Sequence, residues 1–241
     1  MKSAEVAIQG DMYLAQIMAQ HNLCTAAIKI ISRQDDYVEN IKVLLHQKNK
    51  FEPDRIRNIS SDLVRKIITE AKQSETEEFS LLCRNTLVAL CGGLEILVKD
   101  VVAAKFIERP AFVEELGDRK LRIRAADFLS YTDEDRARVL VDALYKDLPT
   151  GHSHVEKFKK LFQFVGENIG VMTEKKYQDK IDEAYELRNA IVHRGSKVDL
   201  QLKASVPHFN LGEPIEMGDS MFRVYRDAML KFAGEIAYPD L

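Results

Sequence analysis

Apolar residues recur along this chain at three- and four-residue intervals, the period of a helix with one buried face. Leu14, Ile17, Met18, Leu23, Ala26, Ala27, Ile30 and Ile31 keep that spacing behind Asp11, which is placed to cap them. Arg33-Gln34-Asp35-Asp36 breaks the pattern. Tyr37, Ile41, Leu44 and Leu45 form a second amphipathic run, and Pro53 marks a boundary after it. Ile59, Leu63, Ile67 and Ile68 form a third, with Ser60 or Ser61 as its cap. The longest pattern covers 75–108. Leu81, Leu87, Leu90, Leu94, Leu97 and Val101 are part of an apolar surface covering most of its circumference, as expected of a helix central to a bundle. Gly92 and Gly93 lower its helix propensity and predict close packing or a kink.

Arg109-Pro110 ends that run. Asp133 to Leu148 reads as an amphipathic helix stopped by Pro149 and Gly151, and Phe158, Leu161, Phe162 and Val165 as another. Tyr177, Ile181, Ala184, Leu187 and Ile191 stripe a helix that Gly195 should terminate in a left-handed conformation. The period then changes: Val198, Leu200, Leu202, Ala204 and Val206 alternate with polar residues, which predicts a short strand or extended loop. Asp219 or Ser220 caps a last helix carrying Phe222, Tyr225, Met229, Phe232 and Ile236. The reading is an all-α bundle with one short extended element.

Composition narrows the function classes. The chain has 241 residues, 46% of them hydrophobic, enough for a substantial core. Its net charge is −3, which argues against a general electrostatic coat for nucleic acid and leaves room for a local basic cleft. The most basic stretch is 117–124, where Arg119, Lys120, Arg122 and Arg124 offer either phosphate binding or a solvated helix start. Cys24, Cys83 and Cys91 have neither disulfide-framework nor zinc spacing, and His152-Ser153-His154 lacks further ligands at metal spacing. No metal or cofactor is expected. No apolar run reaches the roughly 20 residues that span a bilayer, and the start lacks a signal-peptide core. A cytoplasmic protein with no membrane partner is expected.

Chemistry concentrates in Glu183 to Asp199, EAYELRNAIVHRGSKVD. Arg188, Asn189 and His193 fall in the last two turns before Gly195. A histidine there is favoured as a cation by the helix dipole, and the arginine offers a planar fork for phosphate. A titrating imidazole beside a permanent cation suits phosphodiester cleavage through an RNA 2′-OH. Asn189 and His193 are four apart and share a face, whereas Arg188 and His193 are separated by roughly 140° about the axis. A shared site is therefore expected to need a distorted helix end, a facing helix or a second copy. Glu95, set among apolar residues, either pairs with Arg188 or faces water, and Asp199 is placed to pair with Arg194 or His193. As a bare pattern, an Arg with a His five later more often serves structure than catalysis.

Leu187-Arg188-Asn189-Ala190-Ile191-Val192-His193-Arg194-Gly195 resembles the Arg-x(4–6)-His signature of the HEPN superfamily. The resemblance implies a bundle of about four helices, usually dimeric, here placed at 74–241 with residues 1–73 as an N-terminal helical extension. It implies a metal-independent endoribonuclease acting by 2′-OH attack, with a composite site where two motifs meet. Arg188 and His193 would be catalytic or phosphate-binding, with Asn189 supporting them. RNA, a second copy of the chain and an antitoxin or neighbouring regulatory protein are the implied partners, in a toxin or antiviral-defence setting. Some members have lost catalysis and serve as RNA- or nucleotide-binding or dimerisation modules, which is the alternative reading.

Overall fold

A 29-residue helix, Ser80–Glu108, organises the molecule. The computed structural model describes residues 2–33, 61–117, 131–149, 153–169 and 173–239. Among these, the helices are α1 (Ser3–Ser32), α2 (Ser61–Thr76), α3 (Ser80–Glu108), α4 (Ala111–Glu115), α5 (Asp133–Asp147), α6 (His154–Gln163), α7 (Lys175–His193), α8 (Leu200–Ser205) and α9 (Asp219–Ala237). The fold is all-α, as its periodicity predicts. The second amphipathic run, Tyr37 to Leu45, lies outside the described residues.

The middle helix α3 is buried on nearly every side because α1, α5, α6, α7 and α9 all pack against it. Leu87, Leu90, Cys91, Leu94, Val98 and Val102 are wholly inaccessible. Gly92 and Gly93 sit within one continuous helix. Gly93 permits the approach of α1, since a Cβ there would lie 2.7 Å from Leu14 Cδ2. Gly10 does the same from the α1 side, against Leu97. Ala7, Leu14, Ile17 and Met18 of α1 join the same core as α3, α7 and α9.

Three local expectations change. Helix α1 starts at Ser3, so Asp11 lies inside it rather than capping it. Leu23 and Ile30 point outward from α1. The stretch after the motif is the helix α8 rather than a strand. Asp199 caps it by accepting the Leu202 N–H at 2.8 Å. Leu202 is its buried residue, with Val198 before it and Val206 after it buried at the same four-residue spacing, while Leu200 faces solvent. The alternating pattern concealed a helical i,i+4 spacing. Among the described residues, extended pairing survives only as the isolated bridge Lys197–Pro214.

Helix α7 is fixed along its whole apolar stripe. Ile181, Ala184, Leu187 and Ala190 are inaccessible. Burying a side chain such as Leu187 contributes about 1.5–3 kcal/mol. Tyr185 is buried too, and its hydroxyl donates to the Cys91 carbonyl of α3 at 2.8 Å. This packing holds the polar side of α7, and hence the motif, against the outside of the bundle.

Candidate functional site

Helix α7 ends at His193, and Gly195 takes the left-handed conformation with φ +67°. The N–H groups of Arg194 and Ser196 both donate to the Ala190 carbonyl at 3.1 Å, closing the last turn. Beyond it, Val198 N–H donates to Glu213 O at 2.9 Å, Gly212 N–H to Val198 O at 2.8 Å and Ile215 N–H to Ser196 O at 2.8 Å. These bonds clasp the exit of α7 to segment 212–215.

Arg188 and His193 meet within one chain, which corrects the angular argument. Arg188 Nη1 lies 3.2 Å from His193 Nε2, at the end of an undistorted helix. The length of the arginine side chain spans the angle that the backbone positions leave between them. The same Nη1 donates to Asn189 Oδ1 at 3.0 Å. A guanidinium is only ever a donor, so Nε2 is the acceptor and carries no proton in this arrangement. Arg188 has no carboxylate within 4.0 Å among the described residues. Arg188 and Asn189 are half-buried and His193 is exposed.

Glu95 does not pair with Arg188. Its carboxylate binds Lys99 at 2.7 Å, one turn along α3, and Lys99 also reaches Asp142 of α5 at 2.9 Å. Lys99 satisfies the half-buried carboxylate locally, so Glu95 leaves Arg188 free. Arg194 is neutralised instead: it contacts Asp199 at 2.5 Å and Glu186 at 3.6 Å. Asp199 thus pairs with Arg194, not with His193. The Arg194 guanidinium beside it and the Leu202 N–H it caps hold its carboxyl below the usual range. Arg194 and Asp199 fasten the loop after the helix. Arg119, Lys120, Arg122 and Arg124 lie outside the described residues.

Beside the motif, Asn189 lines a groove of about 620 Å³ together with Glu186, Glu183, Asp182, His154 and Lys157. His154, at the start of α6, carries no motif signal in the sequence. Its ring stacks on Tyr185 with centroids 4.0 Å apart, and its Nδ1 lies 3.2 Å from the Tyr145 hydroxyl. Burial, reinforced by the nearby Lys157 charge, brings its pKa down to about 4. The opposed charges of Glu95 and Arg188 both act on His154, Tyr145 and Tyr185. These contacts join α5, α6 and α7 across long sequence separations, which is why periodicity did not find them.

The two buried thiols, Cys83 and Cys91, behave as core residues. Burial pushes the Cys83 thiol up to about 12, and raises that of Cys91 as well, so neither is a nucleophile at neutral pH. Among the described residues no group of His, Cys, Asp and Glu is arranged to hold a metal ion, and no helix is long and apolar enough to cross a membrane.

No family model, curated protein or solved structure matches this chain.

Proposed function

We propose that the protein is a metal-independent endoribonuclease whose site is the end of α7, completed by a second copy of the chain. The observation that carries this reading is the contact of Arg188 with His193 Nε2, on a guanidinium that no carboxylate among the described residues neutralises. An entering phosphodiester draws the Arg188 donors onto its non-bridging oxygens. That frees the Nε2 lone pair, which takes the proton of the RNA 2′-hydroxyl. The 2′-oxygen bonds to phosphorus as the P–O5′ bond breaks, and the products are a 2′,3′-cyclic phosphate and a 5′-hydroxyl. Arg188 stabilises the charge that develops on phosphorus oxygens, and Asn189 holds the guanidinium in place.

The departing 5′-oxygen needs a proton, and each chain carries one copy of the motif. In this reading the His193 of a second copy supplies it. The exposure of His193, with Val192 and Leu200 exposed beside it, suits such an apposition. The resemblance to HEPN proteins supports the same arrangement. It also supports a toxin or antiviral-defence setting, with an antitoxin or neighbouring protein restraining the activity in the cytoplasm.

A second reading is an RNA- or nucleotide-binding or dimerisation module without catalysis. The acidic residues lining the groove beside Asn189 favour it. Cleavage of a mixed, end-labelled RNA pool in EDTA separates the two. Wild type should cut and leave 2′,3′-cyclic phosphate ends, and His193→Ala should be silent. RNA binding without cleavage, unchanged in His193→Ala, would establish the second reading instead.

A further inference from the structure

The groove beside the motif holds four carboxylates, yet each is already engaged. Asp179 pairs with Lys175 at 2.8 Å, and Asp182 accepts the Val155 N–H at the start of α6 at 3.1 Å. Glu183 is held by Lys180 at 2.6 Å, and Glu186 accepts Gln201 Nε2 at 2.9 Å. Three donor groups on the same walls are not engaged.

Lys157 has no carboxylate within 4.0 Å among the described residues; its ammonium stands 5.7 Å from the Tyr145 ring centroid. Among the described residues, Asn189 uses Oδ1 on Arg188 and its Nδ2 group has no partner. Among them too, His154 uses Nδ1 on Tyr145 and its Nε2 has none. Where the Tyr145 O–H donates to Nδ1, the imidazole proton resides on Nε2. The stack on Tyr185 fixes the ring plane, so this donor is held in one orientation. A neutral, oriented N–H beside a free ammonium and a free amide is a set of donors awaiting an acceptor-rich anion.

We propose that Lys157, His154 and Asn189 form a second phosphate subsite, which holds the phosphate of the nucleotide next to the one gripped by Arg188. This rests on the ribonuclease reading for the identity of the ligand. Asn189 joins the two, since it lines this groove of about 620 Å³ and holds Arg188 through Oδ1. His154 is a positioning residue here. A ring that stays neutral at pH 7 binds a phosphate oxygen as a donor and has no proton to give a leaving group.

The test uses the full chain and two probes, a labelled trinucleotide blocked by 2′-O-methyl groups and a 3′-mononucleotide. Binding is measured for wild type, Lys157→Met, His154→Gln and the control Lys66→Met on α2, alongside cleavage of unmodified RNA. Lys157→Met should weaken the trinucleotide about tenfold, lower the salt slope by about 0.7 as for one single-strand phosphate lost, and leave the mononucleotide unaffected. His154→Gln should weaken the trinucleotide less. Equal weakening of both probes places Lys157 in the first phosphate site and overturns the proposal. Unchanged binding in Lys157→Met overturns it too, and wild-type cleavage in the same assay then leaves the nuclease reading standing. If wild type neither binds the trinucleotide nor cleaves RNA, both readings fall together. Because Lys157 is partly exposed, its variant keeps the test open should His154→Gln fold poorly.

Discussion

The last two turns of α7 and the loop directly after them each carry an arginine, and the two are treated differently. Arg194, in the loop, lies against Asp199 and Glu186. Arg188, in the helix, meets an imidazole and an amide but no carboxylate among the described residues. The loop arginine is spent on structure. The helical one meets no carboxylate among the described residues, and its neighbour Asn189 lines the groove. Partner inventory, more than residue type or exposure, is what distinguishes a site from a fastening.

The comparison breaks most visibly in activity. Arg188→Ala should lower RNA cleavage by about 10²–10³-fold, the scale of losing one transition-state donor set. Its melting temperature should stay close to wild type. An Arg188→Ala enzyme that cleaves normally would place Arg188 with Arg194.

Next comes the platform beneath both. Leu187→Ala removes a wholly buried side chain from the face opposite the site and should cost about 2–5 kcal/mol in denaturant unfolding. Cleavage per folded molecule should fall as well, because the helix end loses its reference surface.

A third test reads the buried imidazole of His154 through pH. The folded-state pKa of His154 lies below its unfolded value, so the unfolded chain binds the proton first as the solution is acidified. Stability should fall between about pH 6.5 and 4, by roughly 2 kcal/mol once partial solvent screening is allowed for. His21, lowered by burial, acts in the same sense, and Asp182, raised by burial, acts in the opposite one. The difference between wild type and His154→Gln isolates the His154 contribution, and a flat difference over that range refutes it.

The smallest effect is expected of Arg194→Ala. Thermal denaturation should show a loss of a few degrees, with kcat little changed.

Much of the scaffold was legible because a helix writes its buried face at a fixed period. Leu94, Leu97 and Val101 had to be core, and Gly195 had to end α7. The motif was legible for the same reason, since Arg188, Asn189 and His193 lie on one element. Two kinds of information were not local. One is reach: backbone angles say where side chains start, and the long Arg188 chain closed a gap those angles left open. The other is competition for partners. For Glu95 the sequence offered Arg188 or water, and Lys99, a turn away, prevailed over both. His154 belongs to the same class, because its meaning comes from Tyr145 and Tyr185 on two other helices. The segment 198–206 failed differently: a run with apolar residues at every second position satisfies both periods, and burial of every fourth residue decided for α8.

The clasp between 196–198 and 212–215 ties the chemistry to a part of the chain that never touches it. Amide protons of Val198, Gly212 and Ile215 are locked in one set of bonds, with that of Ser196 anchoring the turn before them. Such a set opens as one cooperative unit, so these amides should exchange with deuterium at a common rate. The frequency of that opening sets how often the His193 turn unravels. A single protease cut between Pro207 and Gly212 would untie it, silencing the end of α7 without removing an atom from it.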